Sequence, residues 1–301
     1  MTKYSASSPA QSQILRLPGG RKLGHAEFGD PDGVPCFFFH GIPGSRLEAA
    51  FTDELARRRG IHVISIDRPG IGLSDYVPGR SFLDWPPDVI AVADSLGIEW
   101  FAVVGVSGGA AYAAACALTI PERLQATAII SGMGPLDTPG ATHGMRLSRR
   151  LLLALGWRAP RLLAAIVTPL ARRAARNPLR YLDGMAPVMA AADRAVLALP
   201  EVRRILLANF TESFRQGGLG MAWDLVMYTR PWGFRLQDIS TEVHLWHGEA
   251  DQNVPVAFGR GLAGAIPHCQ ARFYPGEGHL MAITHMPEIL TTLAQSIHRT
   301  G

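Results

Sequence analysis

Six stretches of the 301-residue chain are short, almost wholly apolar and end at a small or polar residue. They cover residues 35–39, 62–66, 101–104, 126–130, 243–246 and 271–274. They stop at His40-Gly41, Asp67, Gly105, Ser131-Gly132, His247-Gly248 and Pro275-Gly276. Strands covered on both faces read this way, continuous rather than alternating. Between them lie segments with apolar residues at helical spacing: 47–59, 81–96, 110–119, 258–266 and 287–298. Strand and helix in alternation predict right-handed crossovers and a parallel sheet. A hairpin over residues 13–28, turning at Pro18-Gly19-Gly20, precedes the first run.

The alternation is interrupted once, between the fourth and fifth runs. There, roughly 100 residues are helical in pattern and rich in Arg and Leu, with breaks near Pro160, Asn177-Pro178, Pro187, Pro200 and Gly217-Gly218. The expected organisation is an α/β core from residues 1–134 and 236–301, with a helical cap inserted at 135–235.

Charge sharpens that division. Residues 138–235 hold 15 Arg, no Lys and 5 acids, a charge of +10 that leaves −6 for the rest of a chain whose total is +4. The arginines are interleaved with Leu and Ala, as on the solvated faces of amphipathic helices, so no nucleic-acid partner is expected. The most apolar stretch, residues 151–170, is interrupted by Arg158, Pro160 and Arg161, which argues against a membrane span, and membrane contact is not expected. Cys36, Cys116 and Cys269 are far apart and form no paired motif, so neither a disulfide framework nor a metal site is expected. Residues 1–16 contain no apolar stretch of signal-peptide type, and the expected location is the cytoplasm. Nothing in the pattern specifies an oligomer.

In a parallel sheet, ligands bind beyond the carboxyl ends of the strands, and the candidate chemistry collects there. Gly105-Val106-Ser107-Gly108-Gly109 follows a predicted strand and opens a predicted helix. A sharp strand-to-helix turn of this kind forces its serine into a strained, presented position. Asp251 follows the fifth run, and His279 lies just past the sixth. Ser107, Asp251 and His279 then stand in the order nucleophile, acid, base, with Asp137 as a rival for the acid. The His40-Gly41-Ile42-Pro43-Gly44 loop can turn the Ile42 N–H toward a developing oxyanion, and Gly108 supplies a second N–H at a helix start. Within the inserted segment, Trp223, Phe210 and Met221 are candidate substrate-binding residues of an apolar roof.

These motifs, with Asp67-Arg68-Pro69-Gly70-Ile71-Gly72-Leu73-Ser74-Asp75, resemble the α/β-hydrolase family, specifically its capped serine-hydrolase branch, over nearly the whole chain. The resemblance implies a mostly parallel sheet flanked by helices and a helical cap between the fourth and fifth parallel-type strands. It also implies a Ser-Asp-His triad, a backbone oxyanion hole and no cofactor. Asp67 and Arg68 are expected to brace a loop. Epoxide hydrolases and haloalkane dehalogenases carry Asp at the elbow, where this chain has Ser107. Proline iminopeptidases look like Gly-x-Ser-Trp-Gly, and Gly108 stands here in place of the Trp. The expected activity is hydrolysis of a carboxylic ester, lactone or thioester of a small to medium apolar substrate through an acyl-enzyme. The alternatives on the same scaffold are an acyltransferase, a C–C hydrolase, a cofactor-free oxygenase or a ligand receptor with slow turnover.

Overall fold

A computed structural model describes residues 12–136, 145 and 147–300. Eight strands form one sheet: β1 (Ser12–Arg16), β2 (Lys22–Gly29), β3 (Val34–Phe39), β4 (Ile61–Ile66), β5 (Phe101–Val106), β6 (Leu124–Ile130), β7 (Val243–Gly248) and β8 (Cys269–Tyr274). Their spatial order is β1-β2-β4-β3-β5-β6-β7-β8. The β1–β2 hairpin and the β2–β4 pair are antiparallel, and every later pairing is parallel.

Three helices follow the first strands: α1 (Asp53–Arg58), α2 (Trp85–Ser95) and α3 (Ala110–Thr119). Among the described residues, six more lie between β6 and β7: α4 (Leu147–Arg158), α5 (Pro160–Arg176), α6 (Pro178–Met185), α7 (Ala191–Leu197), α8 (Pro200–Ser213) and α9 (Leu219–Tyr228). After β7 come α10 (Val256–Ala265), α11 (Met281–Thr284) and α12 (Met286–Thr300).

Each central strand feeds two cores. Phe37, Phe39, Phe101 and Val103 pack on one face with Trp85, Val89 and Tyr112 of α2 and α3. Cys36, Phe38, Val104 and Val106 pack on the other with Leu55 of α1 and Ile289, Leu290 and Leu293 of α12. Successive side chains point to opposite faces, and both faces are covered, so the runs are apolar throughout. Emptying one such position, as in Phe37→Ala, costs about 3–5 kcal/mol.

Two expected helices are split. Residues 47–59 form a 3₁₀ turn (Arg46–Phe51) and then α1, with the Thr52 hydroxyl donating to the Ala49 carbonyl at 2.6 Å where they meet. Residues 81–96 form a short 3₁₀ turn (Phe82–Asp84) and then α2, whose first turn holds Pro86 and Pro87. Proline lacks the N–H that a first turn leaves unpaired anyway, so it starts a helix there rather than continuing one. The expected breaks in the inserted segment fall at element boundaries. Pro160, Pro178 and Pro200 open α5, α6 and α8, and Gly217-Gly218 precede α9.

The strand order fixes where a site can form. The chain leaves β3 for β4 on one side and reaches β5 on the other, so β3 and β5 are neighbours with Phe39 opposite Gly105. The crevice beyond such a reversal is where open α/β sheets bind ligands. The loop after β3 begins with His40-Gly41, and the turn after β5 begins with Ser107.

Candidate active site

Ser107 adopts φ +54°, in the left-handed region that residues with side chains rarely occupy. Two glycines make this turn possible. A Cβ on Gly105 would press on the Gly109 carbonyl and Ala113, and one on Gly109 would clash with the Phe39 carbonyl. The turn is propped from the inserted segment: the Tyr228 hydroxyl of α9 donates to the Gly108 carbonyl at 3.0 Å and accepts the Ala111 N–H at 3.3 Å.

Asp251 and His279 meet beyond β7 and β8. His279 Nδ1 lies 2.7 Å from Asp251 Oδ2. The other carboxylate oxygen accepts the Asn253 and Val254 N–H groups at 2.7 and 2.8 Å, which fixes the carboxylate plane. Burial pulls the Asp251 pKa upward, but His279, His247 and the Val254 N–H more than reverse it, so it lies below the ordinary value. Burial lowers the His247 pKa below the ordinary value, and its Nε2 donates to the Val254 carbonyl at 2.9 Å. An ionised carboxylate on Nδ1 makes that nitrogen the proton carrier and leaves Nε2 as the basic one.

The His279 backbone is held from the inserted segment. Asp193 of α7, almost fully buried, accepts the His279 N–H at 3.0 Å and the Leu280 N–H at 2.7 Å. Gly278 makes room for it, because a Cβ there would collide with the Asp193 carboxyl.

Asp67 and Arg68 brace the loop that follows β3. Asp67 accepts the Arg46 N–H at 2.7 Å, its guanidinium at 2.6 Å and the Leu73 N–H at 2.8 Å. Arg68 donates to the His40 and Gly41 carbonyls. His40 is fully buried, and burial beside Arg68 holds its pKa well below the ordinary value. It therefore stays an uncharged prop whose Nε2 accepts the Arg68 N–H at 3.3 Å. In the braced loop, the Ile42 side chain presses on the Gly108 position closely enough that a Cβ there would clash with it. The Ile42 N–H makes no hydrogen bond to the described residues. A tryptophan in place of Gly108 would not fit against Ile42.

Ser107, His279, Gly41 and Ile42 line one cavity of about 160 Å³. The inserted segment closes it with Tyr181, Leu182 and Met185 of α6 and Leu206, Asn209 and Phe210 of α8. Of the three roof residues expected from sequence, Phe210 lines this cavity. Trp223 and Met221 do not stand in its wall. Trp223 instead donates its indole N–H to the Arg80 carbonyl at 2.9 Å and packs beside the sheet core. Met221 packs between helices of the inserted segment. Asp137, the rival acid, lies outside the described residues. Sequence reasoning passed over Glu48, Asp193 and Asn209. Only Glu48 carried a local signal, a lone acid one turn beyond the Gly-Ile-Pro-Gly loop. The other two act through contacts more than 80 residues away along the chain.

The reversed strand order, the left-handed serine after β5 and the cavity beyond it define an α/β-hydrolase fold. The sequence profile of the alpha/beta hydrolase family matches residues 36–291, and the chain belongs to that family. A proline iminopeptidase from Neisseria gonorrhoeae is 31% identical over 129 residues, and the matched part spans only about 40% of each chain. A 2-hydroxymuconate semialdehyde hydrolase from Pseudomonas putida is 26% identical over 272 residues, covering 84% of this chain and 83% of that one. Among solved structures, a thermophilic esterase from Thermogutta terrifontis aligns with a TM-score of 0.68 at 22% identity, covering 96% of this chain and 100% of that one. Among the described residues, no helix is long and apolar enough to cross a membrane.

Proposed function

We propose that the protein is a serine hydrolase that cleaves a carboxylic ester, lactone or thioester of a small to medium apolar substrate, and that residues 135–235 act as its cap. The observation that carries this reading is the 2.7 Å Asp251–His279 pair beside a cavity that also holds the left-handed Ser107. Ser107 Oγ adds to the substrate carbonyl while His279 Nε2 takes its proton, and Asp251 stabilises the imidazolium that results. The Ile42 and Gly108 N–H groups receive the carbonyl oxygen as it becomes negative, the second at a helix start where the field already favours an anion. Collapse breaks the C–O or C–S bond and expels the alkoxide or thiolate, which takes the proton from His279. Water activated by the same histidine then releases the acid and returns Ser107. The apolar wall supplied by α6 and α8 favours an apolar acyl or alcohol portion.

A fluorophosphonate probe tests the nucleophile. One equivalent should attach to Ser107, and Ser107→Ala should abolish labelling and lower esterase kcat by about 10⁴–10⁶ on short 4-nitrophenyl esters. Undiminished labelling of Ser107→Ala would remove the serine from the mechanism. Asp251→Asn should lower kcat about 10⁴-fold by favouring the wrong tautomer of His279. A loss of less than tenfold would place the acid elsewhere.

A further inference from the structure

Among the described residues, Glu48 is the one acid in the cavity wall, and its setting is unusual for an acid. It lies in the 3₁₀ turn Arg46–Phe51 of the core, not in the inserted segment. Its Oε2 accepts the Gly41 N–H at 3.0 Å and the Asn209 amide at 3.4 Å. The orientation of that amide is set from behind, because Asn209 Oδ1 accepts both the Ser45 N–H (2.7 Å) and the Ser45 hydroxyl (2.9 Å). Oε1 takes no hydrogen bond from the described residues, and Glu48 faces the cavity.

The carboxyl is also close to the chemistry. A Cβ placed on Gly41 would stand 3.4 Å from Ser107 Cβ and 3.6 Å from each Glu48 oxygen, so carboxyl and serine flank the same glycine. Among the described residues, no Lys or Arg lines the cavity. The guanidinium that bears on Glu48, that of Arg68, is paired with Asp224 at 2.9 Å. Burial raises the Glu48 pKa to about 7 against the opposing pull of the Gly41 N–H, Arg68, His279 and Asn209.

A half-buried carboxylate without a cation is costly, and one beside a forming oxyanion also opposes it by like-charge repulsion. A positive group on the substrate would remove both penalties. Tyr181, Phe210 and Phe51 in the same wall supply apolar surface for the chain that carries such a cation. We propose that Glu48 is a recognition point for an ammonium group, and that the cavity takes apolar acyl compounds carrying a protonated amine a few bonds from the reacting carbonyl. This rests on the serine-hydrolase reading of the cavity.

The test compares an isosteric pair, benzyl 3-aminopropanoate and benzyl butanoate, by release of benzyl alcohol at pH 8. The wild-type protein should favour the amine in kcat/KM, and Glu48→Gln should lower that preference by about tenfold or more, the usual scale for losing one partner of a close charge pair. Glu48→Asp, which keeps the charge, should still favour the amine. An equal ratio in wild type and Glu48→Gln, or a wild type that disfavours the amine, overturns the proposal. Two further readouts separate this failure from failure of the hydrolase reading. Butylammonium should slow fluorophosphonate labelling of Ser107 in wild type more than butanol does, and not in Glu48→Gln. Butylammonium should also raise the Tm of wild type and not of Glu48→Gln. If Ser107 is not labelled at all, the hydrolase reading fails and the Tm comparison alone decides the ammonium site: a rise confined to wild type supports it, and no rise overturns it.

Discussion

The inserted segment meets the core along two seams, and the two treat buried acids in opposite ways. Along the α9 seam, Asp224 lies between Arg68 and Arg80, with the Tyr112 hydroxyl at 2.7 Å. Burial pulls its pKa up, but the two guanidiniums outweigh this and hold it down to about 2. Along the α7–α8 seam, Asp193 and Asn209 meet the His279 and Gly41 loops, and no guanidinium pairs with Asp193 or Glu48 among the described residues. Burial accordingly raises both of these acids. A neutralised acid is a fastener. An acid left without a cation beside a cavity is available to a ligand or to the backbone that positions His279.

The comparison breaks most visibly at Asp224. Asp224→Ala would leave Arg68 and Arg80 buried without their acid, a change of the class that costs about 3–5 kcal/mol. Thermal unfolding should show a large drop in Tm, while the folded fraction at low temperature still takes the fluorophosphonate probe at Ser107. A second signature is acid sensitivity. The folded-state pKa lies below the unfolded one, so the stability Asp224 provides is complete above about pH 4 and is lost as pH falls toward about 2. A variant with unchanged Tm but no labelling would reverse the roles assigned to the two seams.

Asp193 should show the opposite balance. It holds His279 through backbone N–H groups alone, so Asp193→Asn keeps one acceptor and loses the charge-assisted geometry. The expected result is a fall in kcat of roughly 10–100-fold with KM and Tm nearly unchanged, the scale of losing support behind a catalytic group. Equal falls in activity and Tm would make Asp193 a packing residue instead.

The aromatic residues give a finer contrast. Phe210 lines the cavity, whereas the Trp223 indole is tied to the Arg80 carbonyl on the α9 seam. Phe210→Ala should move the acyl-chain optimum toward longer esters, with each added methylene worth about 0.8 kcal/mol, or roughly fourfold in kcat/KM. Trp223→Ala should lower Tm and scale all chain lengths alike. A shifted optimum from Trp223→Ala would bring the α9 seam into the substrate wall.

That contrast also marks what the chain made legible. Element boundaries followed proline and glycine, because these residues act on their own backbone: Pro160, Pro178 and Pro200 start helices wherever the tertiary structure leads. Ser107 was legible for the same reason, since its turn demands Gly105 and Gly109 within the same short motif. Size and apolar character mark Trp223 in the sequence, but they do not say whether a side chain roofs a cavity or seals a seam. Its N–H decided the matter by finding the Arg80 carbonyl, 143 residues away. Asp193 and Asn209 look like solvated polar residues on amphipathic helices until the fold brings them to the His279 and Gly41 loops.

The smallest effect expected belongs to Glu48, and its sign tests the seam comparison directly. Its pKa rises from 4.5 to about 7 on folding, so the folded protein holds this proton more tightly than the unfolded chain. Ionising it in place carries a penalty that is absent below about pH 4.5, grows as pH rises and is complete above about pH 7. Glu48→Gln keeps an oxygen to accept the Gly41 N–H but cannot ionise. Its Tm should equal that of wild type at pH 4.5 and exceed it at pH 8, by about 2–4 °C for each kcal/mol of penalty removed. Asp224 predicts the reverse dependence, since its variant should lose most where wild-type Asp224 is ionised and paired. Butylammonium at pH 8 should narrow the gap between wild type and Glu48→Gln, because a bound cation supplies the partner the wall lacks. A Glu48→Gln variant less stable than wild type at pH 8 would mean that the carboxylate is already neutralised in the folded protein, and that the α7–α8 seam is a second fastener like the first.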